Sequence, residues 1–424
     1  MTPAKGFAEM KDSGIEWIGE IPAHWNLTRL QSQLYEINEI NNPVKTTQVL
    51  SLTNKLGVIP YEEKGNQGNK AKEDFTGYKI AYPSCIVANS MNILIGSVGL
   101  SQYYGCVSPV YYVFRAKDSA NIKFLNYLFS LPSFQKELRK YANGILEIRL
   151  RVSSGNILRR KIALPPPNEQ ATIVSYLDAQ CAKIDEIIAQ GKASIEDYKQ
   201  WKASIIQKAV TKGMGNNRPM KDSGILWIKK IPESWSVRKL KFAIFPLERP
   251  VLNTDEVITC FRDGEVTLRK NRRTDGFTVS FTEHGYQGVE KGDLVIHGMD
   301  AFAGAIGCSD CRGKTTPVVH VCKTIGNNRY FMYALRNMAL SNVFTDFSNG
   351  VRIRSSDFRN FSKLGDFLIA IPPITEQDEI VDYLDNMTSK IDMLITEKQR
   401  LLDEMESYKK SLIYEVVTGK RRVC

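Results

Sequence analysis

Residues 165–213 and 372–420 constrain this chain more than any other part of it, because each reads as one long helix and each repeats the other. Pro165, Pro166 and Pro167 cannot extend a helix from upstream, yet they fit just ahead of one. Asn168 is suited to cap it, and Glu169 places an acid in the first turn, where the helix dipole favours negative charge. A seam then runs in alternating steps of four and three: Leu177, Cys181, Ile184, Ile188, Gly191, Ile195, Tyr198, Lys202, Ile205, Ala209. That 3.5-residue period predicts a helix packed along its length on another helix. At about 1.5 Å per residue, roughly 45 residues make a rod of about 65 Å. Gly191 and Lys202 are the weak points, since a glycine inside a helix costs about 1 kcal/mol relative to alanine.

The partner lies further down the same chain. Shifted by 207 positions, Pro165, Pro166, Glu169, Gln170, Ile173, Val174, Tyr176, Leu177, Asp178, Lys183, Ile184 and Asp185 meet identical residues. These are Pro372, Pro373, Glu376, Gln377, Ile380, Val381, Tyr383, Leu384, Asp385, Lys390, Ile391 and Asp392. No gap is needed as far as Thr211 and Thr418. A duplicated half of about 207 residues also accounts for a length of 424, too long for one ordinary domain.

Two further stretches recur. Residues 10–25 return as 220–235 with eleven of sixteen positions identical, among them Trp17/Trp227, Pro22/Pro232 and Trp25/Trp235. This segment is expected to anchor the start of each half by packing. Residues 85–114 return as 293–322, matching Met91 with Met299, Gly96 with Gly304, Gly99 with Gly307, Ser101 with Ser309, Gly105 with Gly313 and Pro109 with Pro317. Glycines at fixed offsets between short apolar runs predict a tightly turned, curved sheet. Upstream, 47–53 and 257–261 are rich in β-formers and end in turn signals. A short helix is expected at about 121–141 and again at about 327–347, each followed by an Asn-Gly loop, Asn143-Gly144 or Asn349-Gly350. The expected order is an α/β domain over 10–164, a helix over 165–213, a linker at 214–219, an α/β domain over 220–371 and a helix over 372–420.

Composition narrows the function. Hydrophobic residues make up 43%, enough for real cores, and a net charge of +11 favours a polyanionic partner. The N-terminal residues have no apolar run of a signal peptide, and no 18 consecutive apolar residues occur, so no membrane span is expected. The eight cysteines are expected as buried thiols. Cys308, Cys311, His320 and Cys322 come close to a zinc set, but a lone C-x-x-C is a weak signal, and the first half has Leu100 and Tyr103 at the two cysteine positions. Gly307–Thr315 nearly spells a phosphate-binding loop, with one residue too many before Gly313-Lys314-Thr315. Four histidines, no nucleophile elbow and no G-x-G-x-x-G leave no catalytic set within the chain.

The basic clusters say more. Arg262, Arg269, Lys270, Arg272 and Arg273 fall within twelve residues of the second half. The first half has Lys55, Lys64, Asn66, Gln67, Asn69, Lys70 and Lys72 at the same place. Arg149 and Arg151, and correspondingly Arg352 and Arg354, follow the Asn-Gly loops. These side chains hold phosphates and read base edges. Their loops diverge between halves while the flanking repeats do not, as expected of two readers of different sequences on one scaffold.

With its paired helix starts, PPPNEQ and PPITEQ, and its repeated G-x-x-G-x-S-x-x-x-G stretches, the chain resembles a type I restriction–modification specificity subunit over about residues 10–420. The resemblance implies two target-recognition domains of mixed α/β (α+β) fold. Each is followed by a long helix, and the two helices pair as an antiparallel coiled coil with pseudo-twofold symmetry. Each domain would read one half of an asymmetric bipartite site in double-stranded DNA, with the helices setting the spacer. The chain would be non-catalytic and bind no cofactor or metal. Two adenine-methylating modification subunits would use S-adenosylmethionine, and restriction (translocase/nuclease) subunits would use ATP, in the cytoplasm of a bacterium or archaeon. DNA contact is expected at the loop residues Lys55, Lys64, Asn66, Gln67, Asn69, Lys70, Arg149, Arg262, Arg269, Lys270, Arg272, Arg273, Arg352 and Arg354, with Arg151 beside them. The modification subunits are expected on Glu169, Gln170, Ile173, Tyr176, Glu376, Gln377, Ile380 and Tyr383. The competing expectation is a coiled-coil scaffold whose α/β domains bind protein.

Overall fold

The computed structural model describes residues 7, 9–54, 56–65, 74–117, 120–143, 150–215, 217–272, 284–346 and 358–423. It divides into two compact units, Met1–Gly191 with Arg400–Cys424, and Lys192–Gln399. Each unit therefore holds one α/β domain and a stretch of each long helix.

Unit 1 opens with β1 (Met10–Asp12), β2 (Glu20–Pro22), β3 (Asn26–Arg29) and β4 (Leu34–Ile37). The hairpin β5 (Leu50–Thr53) and β6 (Gly57–Pro60) comes next, then β7 (Lys79–Ala81), β8 (Ile86–Asn89), β9 (Val98–Leu100), β10 (Gly105–Val107) and β11 (Tyr111–Ala116). Helices α1 (Ile122–Ser130), α2 (Pro132–Arg139) and α3 (Ser154–Leu158) and strand β12 (Lys161–Leu164) lead to the long helix α4 (Pro167–Lys212). An antiparallel sheet runs β4-β11-β8-β9, β10 pairs with β7, and β12 returns to β3. Residues 121–141 hold two helices rather than one. Pro132 cannot donate to the preceding turn, so α1 stops at Ser130 and α2 restarts at the proline. Phe114, Phe129 and Phe134 stack in sequence, with centroids 6.1 and 5.4 Å apart, and seat these helices on the sheet.

Unit 2 repeats the plan. It comprises β13 (Met220–Ile225), β14 (Ile228–Pro232), β15 (Ser236–Lys239), β16 (Ile244–Pro246), β17 (Ile258–Cys260), β18 (Val266–Leu268), β19 (Gln287–Val289) and β20 (Leu294–His297). Then come β21 (Ile306–Cys308), β22 (Gly313–Thr315), β23 (Val319–Thr324), α5 (Asn328–Leu340), α6 (Val343–Asp346), α7 (Phe361–Gly365), β24 (Leu368–Ile371) and the second long helix α8 (Ile374–Val417). Its sheet runs β16-β23-β20-β21, β19 pairs with β22, and β15 pairs with β24. The near-match to a phosphate loop is thus strand β22, not a loop ahead of a helix. The repeated glycines fall at tight turns. Gly96 and Gly304 sit at φ +90° and +91° between the paired strands β8/β9 and β20/β21, a left-handed conformation that disfavours any Cβ.

Both long helices start where their proline runs end, and α4 begins at Pro167, so Asn168 lies within its first turn instead of capping it. The proline runs close the first turns: Gln170 N donates to Pro166 O, and Gln377 N to Pro373 O, each at 3.0 Å. The seam is buried as the period predicts: Leu177, Ile184, Ile188 and Ile195 of α4 are buried, and so are Leu384, Ile391, Leu402 and Leu412 of α8. Within unit 1, Asp185 pairs with Lys409 at 2.6 Å and Gly191 faces Leu402. Within unit 2, Lys398 Nζ donates to Ser194 Oγ at 3.2 Å and Lys202 pairs with Asp392 at 2.6 Å. Partner numbers fall as helix numbers rise, so the two helical stretches run antiparallel inside each unit. Gly191 is a notch rather than a flaw: a Cβ there would stand 2.5 Å from Leu402 Cδ2, so the missing side chain makes room for the leucine.

Candidate nucleic-acid interface

Each unit carries the same hairpin beside its sheet, and each hairpin ends in a 3-10 turn that presents a cation over an aromatic ring. In unit 1 the turn is Tyr61–Lys64, and Lys64 Nζ stands 4.7 Å from the centre of the Tyr61 ring. In unit 2 the turn is Arg269–Asn271, and the Arg272 guanidinium stands 4.3 Å from the centre of the Phe261 ring. Lys64 closes its turn and Arg272 follows its own, and the two are equivalent positions, 208 residues apart in the repeat. A cation held against a ring face is partly immobilised without being neutralised.

In unit 1 this feature borders a cleft of about 350 Å³ lined by Asn54, Tyr61, Lys64, Asn89, Met91 and Asn92, among others. Arg151 reaches it as well, its Nη2 lying 3.6 Å from Met91 Sδ, and its backbone is fixed by two hydrogen bonds with Asn143 at 2.8 and 2.9 Å. The segments that follow Lys64 and precede Arg151 were those expected to touch DNA. Of those residues, Lys55, Asn66, Gln67, Asn69, Lys70 and Arg149 lie outside the described residues, as do Arg273, Arg352 and Arg354 in unit 2.

The described unit 2 cations are organised by carboxylates. Arg262 pairs with Asp300 at 2.8 Å and Lys270 with Glu256 at 2.5 Å. Arg272 Nη1 meets Asp263 at 2.7 Å and Glu265 at 2.8 Å, and the Asp263 hydrogen bond holds its pKa above the usual guanidinium value. Arg269 Nε donates to Thr259 Oγ1 at 3.2 Å. Sequence reading found these cations but missed Asp263, Glu265 and Asp300, whose role depends on how the hairpin folds back. The thiols belong to packing. Burial pushes Cys260 and Cys308 up to about 12, and burial with the neighbouring Asp310 pushes Cys311 to about 11. His320 Nε2 lies 2.7 Å from Phe358 O, and among the described residues no group of three or more His, Cys, Asp or Glu side chains converges as metal ligands.

Comparison with known proteins shows what this duplicated scaffold is similar to. Residues 30–197 match the model of the type I restriction modification DNA specificity domain. Along 96% of its own length and of the relative's, the chain is 23% identical to a Methanocaldococcus jannaschii protein assigned as the MjaX type I restriction enzyme specificity subunit. It is 24% identical, over 62% of each chain, to the MjaVIII specificity subunit of the same organism. Residues 30–197 thus carry a type I restriction–modification DNA specificity domain, and the whole chain is similar to the specificity subunits of such systems. Two solved structures share the fold. One is a chain from a study of complex assembly and conformational transition in the type I R-M system, with a TM-score of 0.68 at 13% identity, covering 94% of this chain and 98% of that one. The other is the HsdS subunit from Thermoanaerobacter tengcongensis, with a TM-score of 0.50 at 14% identity, covering 96% and 99%.

The helix starts that the chain shares between its halves serve its own packing. Trp25 Nε1 donates to Glu169 at 3.1 Å and Trp235 Nε1 to Glu376 at 3.0 Å, so each acid holds the buried tryptophan of its unit's anchoring segment. His24 adds a contact to Glu169 at 2.8 Å, and Arg218 adds a pair to Glu376, which ties down the expected linker. Gln170 Nε2 donates to Pro165 O at 2.8 Å and Gln377 Nε2 to Pro372 O at 2.9 Å. Ile173 and Ile380 are buried, and Tyr176 and Tyr383 are half-buried. Of the eight residues expected to meet the modification subunits, Gln170, Ile173, Gln377 and Ile380 thus face the interior, and the two glutamates bond within the chain. Among the described residues no helix is long and apolar enough to cross a membrane.

Proposed function

We propose that each unit reads one half of an asymmetric two-part DNA target, and that the paired helices set the unread spacer and dock two modification subunits. The observation that carries this reading is the repeated hairpin, with a ring-backed cation at the same place in both units and different side chains around it. One scaffold used twice with different reading edges calls for a target in two unlike parts. The chain itself is non-catalytic in this reading. Methyl transfer from S-adenosylmethionine to adenine belongs to the modification subunits, and ATP-driven cleavage to the restriction subunits. The test is duplex binding by the assembled complex across salt. Contacts to several phosphates predict a logarithmic salt slope of about −0.9 per phosphate. A flat dependence would favour protein-binding domains on a scaffold.

In this reading the docking surface lies on residues outside the seam. Ile187 and Leu394, which are equivalent across the 207-residue repeat, are 49% and 47% exposed, and the equivalent Trp201 and Tyr408 are 46% and 37% exposed. Each unit thus carries one aliphatic and one aromatic side chain beside equivalent ion pairs, Asp185–Lys409 and Asp392–Lys202. An apolar patch present twice suits two copies of one partner, and exposed aromatic side chains are typical interface anchors. The double variant Trp201→Ala/Leu394→Ala should lower the complex from two modification subunits to one, measured by native mass spectrometry. Retention of both subunits would move the docking surface elsewhere.

A further inference from the structure

We propose that Arg272 reads a guanine in the half-site taken by unit 2, and that Asp263 and Glu265 are positioning residues that aim its guanidinium at the base. This rests on the two-reader interpretation above and assigns chemistry to one of its contacts. Three features converge on Arg272: the Phe261 ring beneath it, and the two carboxylates that both meet Nη1. Among the described residues, Nε and Nη2 take no hydrogen bond or ion pair, and the side chain keeps 35% of its surface open. Those two nitrogens form one planar edge with two parallel donors. In the major groove only guanine offers two acceptors side by side, O6 and N7, so this edge fits guanine and no other base.

The carboxylates also sort ligands. A backbone phosphate approaching Arg272 would meet the negative charge of Asp263 and Glu265, both more than half exposed, whereas a neutral base edge would not. Held on one side by two acceptors and from below by a ring, the guanidinium is also ordered before DNA arrives, so less freedom is lost on contact. The hairpin does not need this apparatus to fold. At the equivalent positions unit 1 has Lys64 for Arg272, Gly57 for Glu265 and Lys55 for Asp263, and it still forms β5 and β6 in the same register. The carboxylates are thus a feature of one reader and not of the scaffold.

The experiment uses the full chain assembled with its modification subunit. First the methylated motif of the native complex is read. Each guanine in it is then replaced, one at a time, by 7-deazaguanine, which lacks the N7 acceptor, and methylation kcat/KM is measured. One guanine should show a loss of about 5- to 100-fold with the native chain. With Arg272→Lys, which keeps the charge but not the fork, that guanine should lose its sensitivity and other bases should be accepted there. Glu265→Gln and Asp263→Asn should weaken discrimination at the same base while leaving the other half-site unchanged. Absence of any N7-sensitive guanine overturns the proposal, as does a sensitive guanine untouched by all three variants. If Arg272→Lys is inactive on every duplex, the two carboxylate variants and the native scan still decide. A native complex with no sequence preference at all would instead sink the two-reader interpretation.

Discussion

Trp235→Ala should remove about 3–5 kcal/mol from the stability of unit 2, the cost of emptying a site the size of an indole in a packed interior. Trp235 is 1% exposed and stands edge-on to Tyr330, with centroids 6.4 Å apart, while the Tyr330 hydroxyl donates to Ala370 O at 2.9 Å. Its indole N–H is also a partner of Glu376 in the first turn of α8. The substitution therefore opens a cavity and takes a donor from a largely buried carboxylate. Trp235→Phe keeps a six-membered ring in the site and loses the hydrogen bond to a charged acceptor with part of the indole volume, so it should cost less, about 1.5–3 kcal/mol. Amide exchange in β15 and β24 is the right readout, because it belongs to unit 2 alone. Equal protection in the native chain and Trp235→Ala would show that the tryptophan is not what joins the anchoring segment to the helix.

The second large effect concerns recognition. A chain whose residues 220–371 are replaced by a copy of 10–164 should direct methylation to a target with two copies of one half-site, and methylation of the native motif should fall to background. The graft joins equivalent points. β12 runs into Pro165-Pro166 and β24 into Pro372-Pro373, and each junction has a glutamate that holds the tryptophan of its own unit. The copied Trp25 would meet Glu376 as Trp235 does. Sequencing of methylated adenines in cells with the modification subunit checks the outcome. Survival of the native motif would mean that the second domain does not read DNA.

Much of this was legible in the chain itself. The 3.5-residue seam predicts the long helices to within a few residues, and the offset repeats predict two units of one topology, because both signals depend on neighbours in sequence. Even the weak point at Gly191 has a local sign, although its meaning comes from Leu402, a residue more than two hundred positions away. The packing role of the helix starts was not legible for the same reason. Glu169, Gln170 and Ile173 match Glu376, Gln377 and Ile380, and identity between halves marks either a shared partner or shared packing. What decides is burial beneath Trp25 and the pairing of β12 with β3, contacts between residues 132 to 144 positions apart. Likewise, the basic residues of the second hairpin were visible, but which of them keep a free donor edge depends on where Asp263 and Glu265 fall once β17 and β18 pair.

The measurement that bears most directly on the central claim is the methylome of cells expressing this chain with its modification subunit, set against cells lacking only the chain. Two units with one topology and unlike reading edges predict a new adenine-methylated motif in two different parts, separated by an unread spacer of fixed length. With the modification subunit shown to be active, the absence of any chain-dependent motif would contradict the account.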